Sequence, residues 1–179
     1  LLQQLIEPAR KNAQTRGVEV QLVFPDNLPS RLSGHPMPLF RALDGLLRNS
    51  LRTTREGQVT LRVSRAGDGA EGLRLRFEVA DTSPGIAFRE QQELVVALAE
   101  AAQLTDSLQL ASAFACALGS ELAFESQPGQ GSRFGFTSLF QANVPSTPTA
   151  FRPRAATAFT PDPRPAFPSS SPNGLGPPI

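Results

Sequence analysis

Residues 73–86 read LRLRFEVADTSPGI, and their reading decides the fold. Leu73, Leu75, Phe77 and Val79 alternate with Arg74, Arg76 and Glu78, a period of two that makes one face of a strand apolar and the other charged. The strand stops at Asp81, because Pro84 and Gly85 force a loop. Upstream, AGDGAEG at 66–72 reads as a hairpin turn, and its partner QVTLRVS at 58–64 repeats the alternation with Val59, Leu61 and Val63. The period then changes. PLFRALDGLLRNSLRTT at 38–54 sets Leu39, Leu43, Leu46, Leu47 and Leu51 at spacings of three and four, an amphipathic helix with Pro38 near its first turn and Gly57 behind it.

Further toward the start, VEVQLVF at 18–24 is a strand with Val18, Val20, Leu22 and Phe24 on one face, closed by PDNLPS. The opening LLQQLIEPARKNA has helical spacing and no initiator Met, so the chain is expected to open inside a helix of a longer protein. Downstream of the loop, residues 88–118 are Ala- and Leu-rich and are expected to form two helices broken around Leu104 to Ser107. ELAFES and SRFGFTSLF flank the turn QPGQG as two further strands. Five strands with helices grouped between them predict an α+β two-layer sandwich, helices packed on one face of a mostly antiparallel five-stranded sheet. The expected divisions are 1–16 as the end of an upstream helix, 17–141 as the domain, and 142–179 as a Pro-rich disordered linker or tail. In that tail, Phe151, Phe159 and Phe167 are candidates to dock on a partner.

Charge and composition narrow the function. Seventeen basic against sixteen acidic residues, without blocks, leave no electrostatic footprint for nucleic acid or an anionic membrane. No apolar run approaches the roughly 18 residues that cross a bilayer, so a cytoplasmic piece is expected, whether free or joined to a membrane anchor elsewhere in its protein. One histidine and one cysteine cannot furnish a Ser/His/Asp set or a metal cluster. Cys116, within LASAFACALG, is expected as a small core residue, and His35, followed by Pro36, as a turn residue.

Three segments in order resemble the GHKL ATPases, and among them most closely the C-terminal catalytic domain of bacterial sensor histidine kinases. LLRNSLRTTREGQVTLRV at 46–63 resembles the asparagine box, NLLxNAxKxT followed by Gly and a strand. VADTSPGI at 79–86 resembles the first glycine box, DxGxGI, and GSELAFESQPGQGSRFGF at 119–136 the closing GGxIxVxSxPGxGSxFxF hairpin. RGVEVQLVFPDNLPSRLSGHPMPLFRAL at 16–43 is similar to the family's lead-in, with His35 where an Asp is usual. The resemblance, spanning residues 1–141, implies a Bergerat-type fold, ATP and Mg²⁺ as ligands, and phosphoryl transfer to a histidine outside this chain. It implies as partners the dimerisation and phosphoacceptor helices of the same protein, through which a homodimer forms, and a response-regulator receiver domain.

The implied roles fall on five residues. Asn49 offers a side-chain oxygen to Mg²⁺, a hard cation that needs few protein ligands beside phosphate. Arg52, on the same helix face, reaches a phosphate. Asp81 accepts from the exocyclic amine of adenine, and Gly85 supplies a positive φ and close backbone approach. Ser83 stands where the family has the loop's first glycine, and brings a Cβ close to the base. Two further departures stand out. Gly45 replaces the acidic or polar residue four before the box asparagine, and the second glycine box, GxGLGL, is replaced by QLTDSLQL at 103–110, without a glycine. Glycines there let amides crowd the phosphates, and Asp106 adds a repelling charge. Weakened nucleotide binding is therefore expected, no catalytic residue is assigned, and two other readings remain open. One is a degenerate kinase-like module that regulates or docks without ATP turnover; the other is a relative of the anti-sigma-factor kinases, which phosphorylate a protein serine.

Overall fold

The computed structural model describes residues 1–29, 31–69, 72–100 and 106–142. Its elements in chain order are α1 (Leu2–Gln14), β1 (Val18–Val23), β2 (Leu32–Ser33), α2 (Pro36–Thr53), β3 (Gly57–Gly69), β4 (Gly72–Asp81), α3 (Phe88–Glu100), α4 (Ser107–Ala117), β5 (Ala123–Gln127) and β6 (Gly131–Ala142). The strand order is β1-β3-β4-β6-β2, with β5 also on β6. β1 pairs parallel to β3, and the other pairings are antiparallel.

The alternation read from 73–79 works as expected. Leu73, Leu75, Phe77 and Val79 are buried, and Val59, Leu61, Val63, Phe134, Phe136 and Phe140 share their face of the sheet. The Phe77 ring stacks on Phe136 with centroids 5.5 Å apart and meets Phe140 at 5.9 Å, the offset and tilted arrangements aromatic rings prefer. Helix α2 lies on this face through Leu39, Leu43, Leu46 and Leu47, and α4 through Leu108, Ala111 and Ala115. α1 contributes Leu5, Ile6 and Ala13 to the same core. The opposite face is charged: Glu78 lies between Arg76 at 3.6 Å and Arg133 at 3.5 Å.

Two expectations need correction. The sheet has six strands rather than five, because β2, Leu32–Ser33, pairs with Gln141 and Ala142. Two residues carry no period, so hydrophobic patterning gives no sign of it. Cys116 is exposed rather than in the core. The buried face of α4 is set by Leu108, Ala111, Ser112 and Ala115, and Cys116 falls off that stripe. Of the expected tail at 142–179, Ala142 ends β6, and residues 143–179, with Phe151, Phe159 and Phe167, lie outside the described residues.

Arg16, just past α1, anchors the helix that carries Asn49. Its guanidinium donates to the carbonyls of Leu51 at 2.8 Å and Thr54 at 3.3 Å, at the C-terminal end of α2 where carbonyls lack helical partners and a cation is favoured.

Candidate nucleotide-binding site

The end of α2, the loop after β4, the first turns of α3 and α4, and the start of β6 enclose a cleft of about 690 Å³. Asn49, Arg52, Ser83 and Gly85 all line it, together with Thr53, Arg55, Glu90, Leu108, Ser132 and Phe134. Four of the five residues singled out from the sequence thus come together. A second cavity of about 690 Å³, bounded by Leu22, Phe24, Leu39, Phe77 and Phe140, has no charged side chain in its lining.

Asp81, the fifth, sits behind the lining at 6% exposure. Its Oδ2 accepts the Ser50 hydroxyl at 2.7 Å, and its Oδ1 accepts the backbone N–H of Ser83 at 3.1 Å and of Ser132 at 3.3 Å. One carboxylate therefore ties α2, the loop and β6 together, with three donors offsetting the cost of its burial. A carboxylate has about four acceptor positions, so three donors leave one open. Ser50 and Ser132 escaped the sequence reading. Both lie inside the quoted motifs, and Ser50 stands where the asparagine box has Ala, which was the available signal.

Asn49 is 5% exposed. Its side-chain oxygen accepts from Arg52 Nη2 at 3.0 Å, the i, i+3 contact that helical spacing predicts. The two groups expected to meet a metal ion and a phosphate are here engaged with each other. An amide oxygen has two lone pairs, so Asn49 Oδ1 keeps one acceptor position beside Arg52, a hard oxygen of the kind a divalent cation would take.

The loop 82–86 is fitted to the β5–β6 turn. Gly85 has φ +74°, and a Cβ there would run into the carbonyl oxygen of Gln127. Gly131 has φ +96°, and a Cβ there would meet the carbonyl oxygen of Asp81. The close approach required of Gly85 is therefore to the neighbouring turn. Ser83 folds its hydroxyl inward to accept the Gly85 N–H at 3.4 Å, while Ser126 Oγ accepts the Ile86 N–H at 2.8 Å.

At the other end of the cleft, α4 begins at Ser107 with Asp106 as its N-cap, the carboxylate accepting the Ser107 N–H at 2.6 Å. Of the expected lid at 103–110, residues 103–105 lie outside the described residues. α4 rests on α2 at Gly45, where an added Cβ would lie 2.6 Å from the Ser107 carbonyl oxygen and 3.1 Å from Ala111 Cβ. The missing side chain at position 45 is thus the space α4 occupies. His35 is exposed as the N-cap residue of α2, making no side-chain cap bond. Among the described residues no group of three or more His, Cys, Asp or Glu is placed to hold a metal, and no helix is long and apolar enough to cross a membrane.

This fold and cleft define a GHKL-type nucleotide-binding domain. The chain belongs to the histidine kinase-, DNA gyrase B- and HSP90-like ATPase family, whose model matches residues 34–142. It is similar to the sensor protein GacS of Pseudomonas syringae pv. syringae, 29% identical over 143 residues, which cover 75% of this chain and 16% of that protein. The alginate biosynthesis sensor protein KinB of Pseudomonas aeruginosa is 33% identical over 126 residues, covering 68% of this chain and 20% of KinB. The chain therefore spans a fifth or less of the length of these relatives. Among solved structures, full-length ShkA in complex with AMPPNP superposes with TM-score 0.66 at 27% identity, covering 80% of this chain and 30% of ShkA. The catalytic domain of histidine kinase ThkA shares the fold at TM-score 0.59 and 15% identity, covering 77% of this chain and 91% of that one. The chain is thus related to the catalytic, ATP-binding domains of sensor histidine kinases.

Proposed function

We propose that this domain holds ATP so that its γ-phosphoryl passes to a histidine outside these 179 residues, within a two-component sensor kinase. The observation that carries the reading is the meeting of Asn49, Arg52, Ser83 and Gly85 in one cleft beside the buried, three-donor Asp81. Asp81 takes the adenine amine on its remaining acceptor position, with Ser83 and Gly85 shaping the wall beside the base. Asn49 Oδ1 would hold Mg²⁺, which neutralises phosphate charge when bound. Arg52, released from Asn49, orients a phosphate. The acceptor imidazole nitrogen attacks the γ-phosphorus, the bond to the bridging oxygen breaks, and ADP leaves; such transfers depend chiefly on positioning and charge neutralisation.

The names of the relatives support the setting. They are sensor proteins and histidine kinases, and one is a hybrid signal transduction histidine kinase of Dictyostelium discoideum. We therefore assign as partners the dimerisation and phosphoacceptor helices of the same protein and a receiver domain, in the cytoplasm, with homodimers formed through those helices. The intact cleft favours this reading over a docking module without nucleotide, and the glycine-free approach to α4 points to weak affinity.

Titration of the chain with a fluorescent ATP analogue tests it. Saturable binding that needs Mg²⁺ is expected, and Asn49→Ala should weaken it at least about tenfold, the loss of roughly 1.4 kcal/mol of contact. A folded chain that binds no analogue at millimolar concentration refutes the proposal.

A further inference from the structure

The hydroxyl protons beside the cleft can be traced one by one. Ser126 Oγ donates to the Gly131 carbonyl at 3.0 Å and accepts the Ile86 N–H at 2.8 Å. A hydroxyl has a single proton, so in the 3.0 Å contact between Ser126 Oγ and Ser132 Oγ the proton comes from Ser132. Ser132, which lines the cleft, therefore keeps only lone pairs for a further partner. Ser83 is the reverse case. Its Oγ accepts the Gly85 N–H at 3.4 Å, and among the described residues nothing takes its own proton. Ser83 also lines the cleft and is 5% exposed, a setting in which a hydroxyl proton without an acceptor is costly. The acceptor for that proton comes from what occupies the cleft. The two serines are neighbours, since both give their backbone N–H to the same oxygen, Asp81 Oδ1, at 3.1 and 3.3 Å. The wall at Asp81 thus sets one hydroxyl donor, Ser83, beside the acceptors of Ser132 and Asp81.

Resting on the nucleotide reading above, we propose that Ser83 is a specificity-determining residue that gives its hydroxyl proton to the unprotonated ring nitrogen beside the amine of adenine. An amine next to a bare ring nitrogen offers a donor and then an acceptor, the complement of the groups on this wall. With guanine or hypoxanthine, which carry an N–H at that place, the Ser83 proton again has no acceptor. A site built to hydrogen-bond its ligand discriminates against a base that leaves the bond unmade more strongly than shape alone can. A glycine at this position supplies no such proton. The bond from the Ser83 backbone N–H to Asp81 holds the hydroxyl in place.

The test is competition of ATP and of 1-deaza-ATP, in which a C–H replaces that nitrogen, against a fluorescent ATP analogue. It is run on the whole chain in Mg²⁺, for the parent, Ser83→Ala and Ser83→Gly, with thermal melts to show that each is folded. Two ways of removing the hydroxyl guard against one variant failing to fold, and the comparison of ligands in the parent needs neither. A neutral hydrogen bond corresponds to about two- to tenfold in affinity. The parent should bind ATP about three- to tenfold more tightly than 1-deaza-ATP, and in both variants the two ligands should agree within about twofold. Equal affinity of the parent for the two ligands, or a preference for ATP that survives in a folded variant, overturns the role of Ser83 and leaves the nucleotide reading standing. Failure of the folded parent to bind either ligand overturns the nucleotide reading and this inference with it.

Discussion

Replacing Ser50 by Ala removes one hydroxyl from the centre of the domain. Ser50 is 0% exposed and its Oγ lies 2.7 Å from Asp81 Oδ2, so water cannot take its place without opening the core. A hydrogen bond to a charged acceptor contributes about 1.5–3 kcal/mol. Ala is the better helix former by about 0.5 kcal/mol, and the change in volume is small. The net expected loss is about 1–2.5 kcal/mol. The unfolding entropy of a unit this size makes each kcal/mol about 3 °C in Tm. Urea denaturation of parent and variant reads the loss as a lower midpoint at unchanged slope. Because removal of either partner has other effects, the decisive quantity is the coupling in a double-mutant cycle with Asp81→Ala. Coupling of about 1 kcal/mol or more is expected. If Ser50→Ala is neutral or stabilising and the coupling falls below about 0.5 kcal/mol, the hydroxyl does not serve the carboxylate and the Asp81 hub is wrong.

Gly85→Ala and Gly17→Ala make a matched pair. Both residues have positive φ, +74° and +70°, but only Gly85 has a carbonyl where the Cβ would go. Denaturation should show about 1 kcal/mol lost at Gly17 and at least about 2 kcal/mol more at Gly85; equal losses refute the steric argument. Arg16→Ala strips the C-terminal carbonyls of α2 of two donors and a cation. A loss of about 1–2 kcal/mol is expected by thermal melt, lessened in high salt, and no loss refutes the capping role.

Most of the fold was legible because burial on one face writes itself as a period. Val59 to Val63 and Leu73 to Val79 alternate because the sheet has helices on one side only, and Leu39 to Leu51 repeat at helical spacing because α2 lies on it. β2 was not legible, since two residues held by backbone pairing need no particular side chains. Cys116 was misplaced because α4 is apolar nearly all round, so its sequence does not reveal which stripe is buried. In the site, the motifs marked the cleft residues, and helical spacing set Arg52 beside Asn49. That Ser50 and Ser132 complete Asp81 did not show, because it depends on contacts between residues 31 and 51 apart in the chain. Gly45 reads as a loss against the family pattern, and only the position of Ser107 shows what fills the space.

The Asp81 hub bears on how such a domain drifts when its activity is under little selection. A residue that joins three elements of the core is guarded by the cell's quality control as well as by catalysis, since its loss lowers the amount of folded protein. Glycines of a phosphate loop have no such second protection. A gene relaxing away from catalysis would shed its lid first and keep its Asp and its hairpin longest. The order in which motifs decay is then written in the hydrogen bonds of the fold, and an intact Asp in the first glycine box reports a sound core before it reports a working kinase.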